Sequence, residues 1–238
     1  MQTDVIQSHD LTLSNDLGGI DMYHWVEDKK FLGRMKRLCS DIVNQLVQDI
    51  NNEEKLYVRA YMVGSGAKNL ITQNAEEPIN LDYNLEIIEC YDFNINNGRT
   101  IKEYIQEKFN EILSKNDLDD CGDSKSVLTS GDIEFTTGNK TNFSIDIAIV
   151  KQNTNGLDRL IHRKTGFTYL DQYYWNPAPN SKGLSEKANL LKEENCWEDV
   201  RKLYLEKKNM YLRRNDHNHS SFIVYIETIN EAYYKYCQ

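Results

Sequence analysis

Ile79-Asn80-Leu81-Asp82-Tyr83-Asn84-Leu85-Glu86-Ile87 decides how this chain is read, because apolar and polar residues alternate strictly along it. Successive side chains of a β-strand point to opposite faces. Ile79, Leu81, Tyr83, Leu85 and Ile87 therefore share one face, and Asn80, Asp82, Asn84 and Glu86 share the other. A strand with one polar face follows, carrying amides and acids two residues apart that can grip one ligand together.

Upstream, Phe31, Met35, Leu38, Ile42, Leu46 and Ile50 recur at spacings of three and four, which predicts an amphipathic helix over residues 28–51. Residues 56–63 read as a strand stopped by Gly64-Ser65-Gly66, with a short helix expected over 67–72. Downstream, Ile101, Tyr104, Ile105, Phe109 and Ile112 predict a second helix over 100–114. Segments 126–136 and 142–150 read as a hairpin turning at Gly138-Asn139, whose second strand sets Asp146 opposite Ile145 and Ile147. Past residue 151 the texture changes to a short hairpin around 159–170, a Pro-Ala-Pro-Asn turn at 177–180, and helices over 184–194, 197–213 and 220–236. The fold class expected is α+β: a mixed sheet with helices on one face over residues 1–160, then a mainly helical lobe over 161–238.

Composition narrows the function. The 238 residues include 39% hydrophobic and 27% charged side chains, and no apolar run approaches the roughly 20 residues that span a bilayer. No membrane role is expected. Residues 1–15 are polar and acidic, unlike a signal or transit peptide. Cys39, Cys90, Cys121, Cys196 and Cys237 have no paired spacing, which argues against a zinc site or disulfide framework and favours a reducing cytoplasm. With 37 acidic and 28 basic residues the net charge is −9, which disfavours non-specific nucleic-acid binding.

Phosphoryl and nucleotidyl transfer need charge neutralisation more than a covalent partner, so their sites combine acidic metal ligands with backbone donors for phosphate. Gly64-Ser65-Gly66 ends a strand and opens a helix, where free amides favour an anion; Ser65 adds a hydroxyl and Lys68 a charge. Asn80 and Asp82 supply neighbouring ligands, and Asp146 supplies a carboxylate between apolar neighbours.

In that order, Gly64-Ser65, Ile79-Asn80-Leu81-Asp82-Tyr83 and Ile145-Asp146-Ile147 resemble the polymerase-beta-like nucleotidyltransferase superfamily, whose pattern is Gly-Ser, an Asp-x-Asp or Asp-x-Glu strand and a distant third Asp. The likeness covers about residues 28–150, as a palm domain. The helical remainder is similar to the second lobe of oligoadenylate-synthase-like and related bacterial members. The resemblance implies a cytoplasmic, bacterial enzyme that binds ATP or another nucleoside triphosphate with Mg²⁺ or Mn²⁺. It would transfer a nucleotidyl group to a hydroxyl-bearing acceptor. Asp82 would bridge both metals, Asp146 would help bind the catalytic metal and activate the acceptor, and Ser65 would hold the terminal phosphates. A second-lobe lysine that binds triphosphate would be Lys207 or Lys208, ahead of Lys187 and Lys192.

Asn80 departs from the pattern, since an amide oxygen can coordinate Mg²⁺ but brings no charge, and hard cations prefer carboxylates. Pairing Asp82 with Asn84 instead still gives one acid and one amide. The alternative is therefore a catalytically inactive nucleotide-binding sensor or interaction protein of the same fold. Asp216, His217 and His219 precede an expected helix and read as caps rather than as a zinc site, which takes four ligands. His9, His24 and His162 lack partners at informative spacing. Tyr169, Tyr173, Tyr174 and Trp175 read as packing at the lobe junction, with base stacking as the alternative.

Overall fold

The computed structural model describes residues 22–179, 183–216 and 219–237. The polar start 1–15, His9, Asn180 and His217 lie outside the described residues. In chain order the elements are β1 (Tyr23–Trp25), α1 (Lys29–Asn52), β2 (Leu56–Met62), α2 (Gly64–Lys68), β3 (Thr72–Asn74), β4 (Ile79–Cys90) and α3 (Gly98–Lys115). There follow β5 (Gly122–Asp123), β6 (Leu128–Thr129), β7 (Phe143–Asn153), β8 (Gly156–Arg163), a 3-10 turn at Thr168–Leu170, β9 (Gln172–Pro177), α4 (Leu184–Glu193), α5 (Trp197–Arg213) and α6 (Ser221–Tyr236).

The apolar stripe of α1 is buried as its period requires, with Cys39 and Val43 completing it beside Phe31, Met35, Ile42, Leu46 and Ile50. Asp28 starts the helix, its carboxylate accepting from the Phe31 amide at 2.9 Å. The α3 stripe packs beside it, and both helices cover the face of the sheet that carries Leu81, Tyr83, Leu85, Ile145, Ile147 and Ile149. Those helices leave the opposite face, with Asp82 and Asp146, to a cleft.

The large sheet runs β2-β4-β7-β6-β5, and β8 pairs both β7 and β9. β4 and β7 are parallel, with Asp82 opposite Asp146 and Asn80 opposite Ser144. Parallel neighbours need a crossover connection, and α3 lies in it. The expected hairpin ahead of β7 is therefore a minor feature: β6 is two residues long, and a single bridge joins Ile133 to Phe143. Ser130, Gly131 and Asp132 interrupt that segment, so β4 rather than β6 is the main partner of β7. The short helix after β2 begins at Gly64 rather than at residue 67.

The boundary expected at 160/161 falls within β8, and the same sheet continues to Pro177 before the helices begin at Leu184. Helices α4, α5 and α6 enclose a second core of Leu184, Leu191, Val200, Tyr204, Val224 and Ile229. Leu70, just past α2, belongs to this second core, so the segment after Gly64-Ser65 touches both halves of the molecule. Among the described residues no helix is long and apolar enough to cross a membrane.

Candidate functional site

One cleft of about 1420 Å³ lies between the polar face of the sheet and the helices. Gly64, Ser65, Lys68, Asn80, Asp82 and Asp146 all line it, and Lys208 closes it from α5. Backbone geometry accounts for the first of these positions. Gly64 has φ +61°, and a Cβ there would sit 2.6 Å from Oδ2 of Asp82, so only glycine allows the turn to lie against that carboxylate. Gly66 is held as tightly, since a Cβ would meet Leu81 at 2.8 Å and Met62 at 2.9 Å. The Val63 amide donates to the Asp82 carbonyl at 2.8 Å and ties the start of the turn to β4.

The two carboxylates are half-buried and adjacent. Burial pushes the Asp82 carboxyl up to about 6, the Asp146 charge adds to the rise, and Arg159 and Lys208 oppose it. Burial also raises Asp146, against hydrogen bonds from Thr129 and Asn80 that favour its charged form. Across the cleft, burial brings the Lys208 ammonium down to about 8, with Glu77 and Asp82 opposing the fall. Lys208 Nζ donates to Thr72 Oγ1 at 2.9 Å and lies 3.6 Å from the centre of the Tyr23 ring.

Asn80 is built into this network. Its Oδ1 accepts from Ser144 Oγ at 3.0 Å, and its Nδ2 donates to Asp146 Oδ2 over a long 3.4 Å. In that orientation the amide offers Asp146 a proton. Turning Oδ1 toward a cation needs a flip, which Ser144 tolerates because its hydroxyl can donate or accept.

A divalent cation would find two neighbouring carboxylates, one buried Asp146 oxygen, Oδ1, without a hydrogen-bond partner among the described residues, and one amide that can present oxygen after a flip. That donor set fits a hard cation. Among the described residues no group of three or more Asp, Glu, His or Cys side chains forms a metal cluster, so two carboxylates are the acids a cation would find here.

Other sequence candidates fall elsewhere. Lys207 pairs with Glu231 at 2.8 Å, Lys187 donates to Asn230 at 2.6 Å, and Lys192 lies over Trp197. Of these four second-lobe lysines only Lys208, on α5, lines the cleft. Tyr173 stacks on His162 and Trp175 donates to the Ile95 carbonyl at 2.8 Å, both packed against the main core, while Tyr169 stands 77% exposed. His219 stacks on Tyr211 and pairs with Asp216 at 2.9 Å.

Arg159 carried no sequence signal as a site residue, because a lone basic residue in a short strand is ordinarily solvated. The structure sets it in the cleft, acting on Asp82. Lys102 and His162, also unpredicted, form a separate buried cluster with Asp123 and Asp171.

No family model and no curated protein matches the chain. Similar solved structures include Vibrio cholerae DncV in a 3'-deoxy ATP bound form, at 12% identity and TM-score 0.49, covering 82% of this chain and 51% of that one. Escherichia coli DncV in a 3'-deoxy GTP bound form matches at 11% and 0.48, covering 74% and 46%. The Bradyrhizobium diazoefficiens CD-NTase CdnG in complex with GTP matches at 12% and 0.43, covering 71% and 43%. The chain spans about half the length of these structures. Each of these three scores lies below 0.5.

Proposed function

We propose that the cleft binds a nucleoside triphosphate with a divalent cation, Mg²⁺ or Mn²⁺, and transfers its nucleotidyl group to a hydroxyl-bearing acceptor. The observation that carries this reading is the direct register of Asp82 with Asp146 on parallel strands, beside a Gly64-Ser65 turn that touches the Asp82 carboxylate.

Asp82, Asp146 and, after its flip, Asn80 would hold the cation. When bound, the cation neutralises phosphate charge and polarises the α-phosphate. Ser65 and Lys68 would receive the terminal phosphates, and the Lys208 ammonium would balance their charge from the other wall. The acceptor oxygen would form a bond to the α-phosphorus as the bond from that phosphorus to the bridging oxygen breaks. Pyrophosphate would leave with the bonding electrons. Asp146 would take the acceptor proton, a role that suits a carboxyl raised by burial. Composition favours a cytoplasmic setting, and the family resemblance a bacterial one.

A second reading is supported by Asn80, whose Nδ2–H now faces Asp146: a protein that holds nucleotide and cation without transfer, as a sensor or interaction module. Titration of Mg²⁺ and each triphosphate against the chain and Asn80→Asp, with pyrophosphate release followed, separates the two. The transfer reading expects Mg²⁺-dependent binding and pyrophosphate from the natural chain. Binding by both with pyrophosphate only from Asn80→Asp supports the second reading, and no triphosphate binding by either protein overturns both.

A further inference from the structure

The contacts of other arginines show what is unusual about Arg159. Arg59 pairs with Glu86, Arg34 donates to the Thr137 carbonyl and lies over Phe135, Arg99 donates to the Thr168 and Asp171 carbonyls, and Arg201 lies over Trp25. Arg159 has a buried Nε with no hydrogen-bond partner among the described residues. A buried donor left unpaired is costly, more so when charged, and such groups in folded proteins ordinarily have a partner. Burial lowers its proton affinity and Asp82 opposes that fall, so the guanidinium lies within electrostatic reach of the carboxylate pair.

Strand register says where this donor points. Arg159 is the direct partner of Val150 in the antiparallel β7–β8 pair, and directly opposed residues share a face of the sheet. Val150, Ala148 and Asp146 alternate with the core-facing Ile145, Ile147 and Ile149, so Arg159 stands on the cleft face, beyond Asp146. Between it and β4 the floor is the small side chain of Ala148, opposite Asn84. Asn84 Oδ1 is likewise buried without a partner. The far end is closed by Glu86, which accepts from Arg59 at 2.9 Å and Gln152 at 2.7 Å. These side chains outline a niche with one charged donor and one acceptor that lack hydrogen-bond partners among the described residues.

The niche and the Gly64-Ser65 turn lie on opposite sides of the carboxylates. Gly64 follows β2, which pairs β4 on the edge away from β7, whereas Arg159 is on β8, beyond β7. In phosphoryl transfer the attacking and leaving oxygens lie roughly in line across the reacting phosphorus. A triphosphate whose terminal phosphates lie toward Ser65 therefore brings its acceptor from the Arg159 side. A cleft of about 1420 Å³ also exceeds the roughly 300–1,000 Å³ of pockets that hold one small ligand.

We propose that Arg159 holds an oxyanion group of the acceptor, so that the acceptor is a hydroxyl compound carrying a phosphate or a carboxylate. A guanidinium presents Nε–H and Nη–H as a fork to such a group, and the charge-assisted pair supplies the partner that Nε lacks. This assignment to the acceptor rests on the transfer reading above; the anion site itself does not.

The test titrates methyl phosphate and acetate into the Mg²⁺-loaded full chain, with and without a non-hydrolysable triphosphate analogue to fill the donor side. The natural chain, Arg159→Gln, Arg159→Lys and Ser65→Ala are compared, with melting curves showing that each is folded. One of the two probes is expected to bind the natural chain; a preference for methyl phosphate identifies a phosphate acceptor, and one for acetate a carboxylate acceptor. Arg159→Gln should weaken that probe by about tenfold or more and Arg159→Lys by less, since charge remains but the fork is lost. The analogue should bind Arg159→Gln about as well as the natural chain and bind Ser65→Ala more weakly. Equal probe affinity in the natural chain and Arg159→Gln, or no binding of either probe, overturns the anion site. A loss of analogue binding in Arg159→Gln as large as that in Ser65→Ala overturns its assignment to the acceptor. Failure of the natural chain to bind the analogue, with the probe result intact, sinks the triphosphate reading while leaving the anion site standing.

Discussion

Gly64 leaves room for Asp82: a methyl group on its α-carbon would stand 2.6 Å from the Asp82 carboxylate, at a backbone φ of +61° that side chains rarely adopt. Turn and acid are therefore one unit. Gly64→Ala should cost about 1–2 kcal/mol of stability from the left-handed backbone. It should also displace the Asp82 carboxylate and weaken Mg²⁺-dependent triphosphate binding. Denaturant melts and calorimetric titration read the two losses separately; unchanged binding in a folded variant would show that the close approach does not position Asp82.

Acidification should release the cation. With the Asp82 carboxyl near 6, protons compete with a divalent ion below that pH, and affinity should fall by about tenfold per unit once the carboxyl is protonated. Stability without cation should move oppositely. Because the folded value is raised above the unfolded one, the native state binds the proton more tightly, so the contribution of Asp82 to stability declines as pH rises from about 4 to about 6. Melting the cation-free chain across that range, beside Asp82→Asn in which the slope should shrink, checks the sign.

Asp82 and Glu86 share a strand face and should fail in different ways. Asp82→Ala removes the proposed cation ligand and should abolish Mg²⁺-dependent binding while leaving the fold intact. Glu86 is fully buried and accepts from both Arg59 and Gln152. Glu86→Ala should therefore cost about 1–3 kcal/mol through the loss of these two hydrogen bonds to a buried carboxylate. A cation affinity lowered equally by both substitutions would contradict the placement of the site at Asp82.

His162 holds a cluster remote from the chemistry. Its Nδ1 meets Asp123 at 2.6 Å and its Nε2 meets Asp171 at 3.0 Å, so the ring bridges two carboxylates. Asp123 also pairs with the buried Lys102. His162→Leu should destabilise by about 1–3 kcal/mol through the two hydrogen bonds lost, since Asp123 keeps Lys102 and Asp171 keeps Thr165, and amide exchange should quicken around Thr165 and Asp171. Triphosphate affinity in the folded fraction should not change.

Much of the local structure was legible. The stripes of α1 and α3 and the alternation of β4 are periodic, and period alone sorts their residues into core and cleft faces. The Gly-Ser turn, Asp82 and Asp146 stood out because small residues and acids beside apolar neighbours carry chemical meaning singly. The minor role of the expected hairpin was less legible, since the alternation of β7 suits an antiparallel neighbour as well as a parallel one. Only the crossover through α3 separates the two.

By itself, the amino-acid order determined which residues form strands and helices and which faces are polar, because those properties repeat within a few residues. It did not determine that Asp82 stands opposite Asp146, that Lys208 enters the cleft while Lys207 pairs with Glu231, or that Arg159 brings to the cleft an Nε without a hydrogen-bond partner among the described residues. Adjacent helical residues differ in direction by about 100°, and a strand does not name its neighbour. Tertiary packing decided these points, because register and helix orientation are set by contacts between residues far apart in the chain.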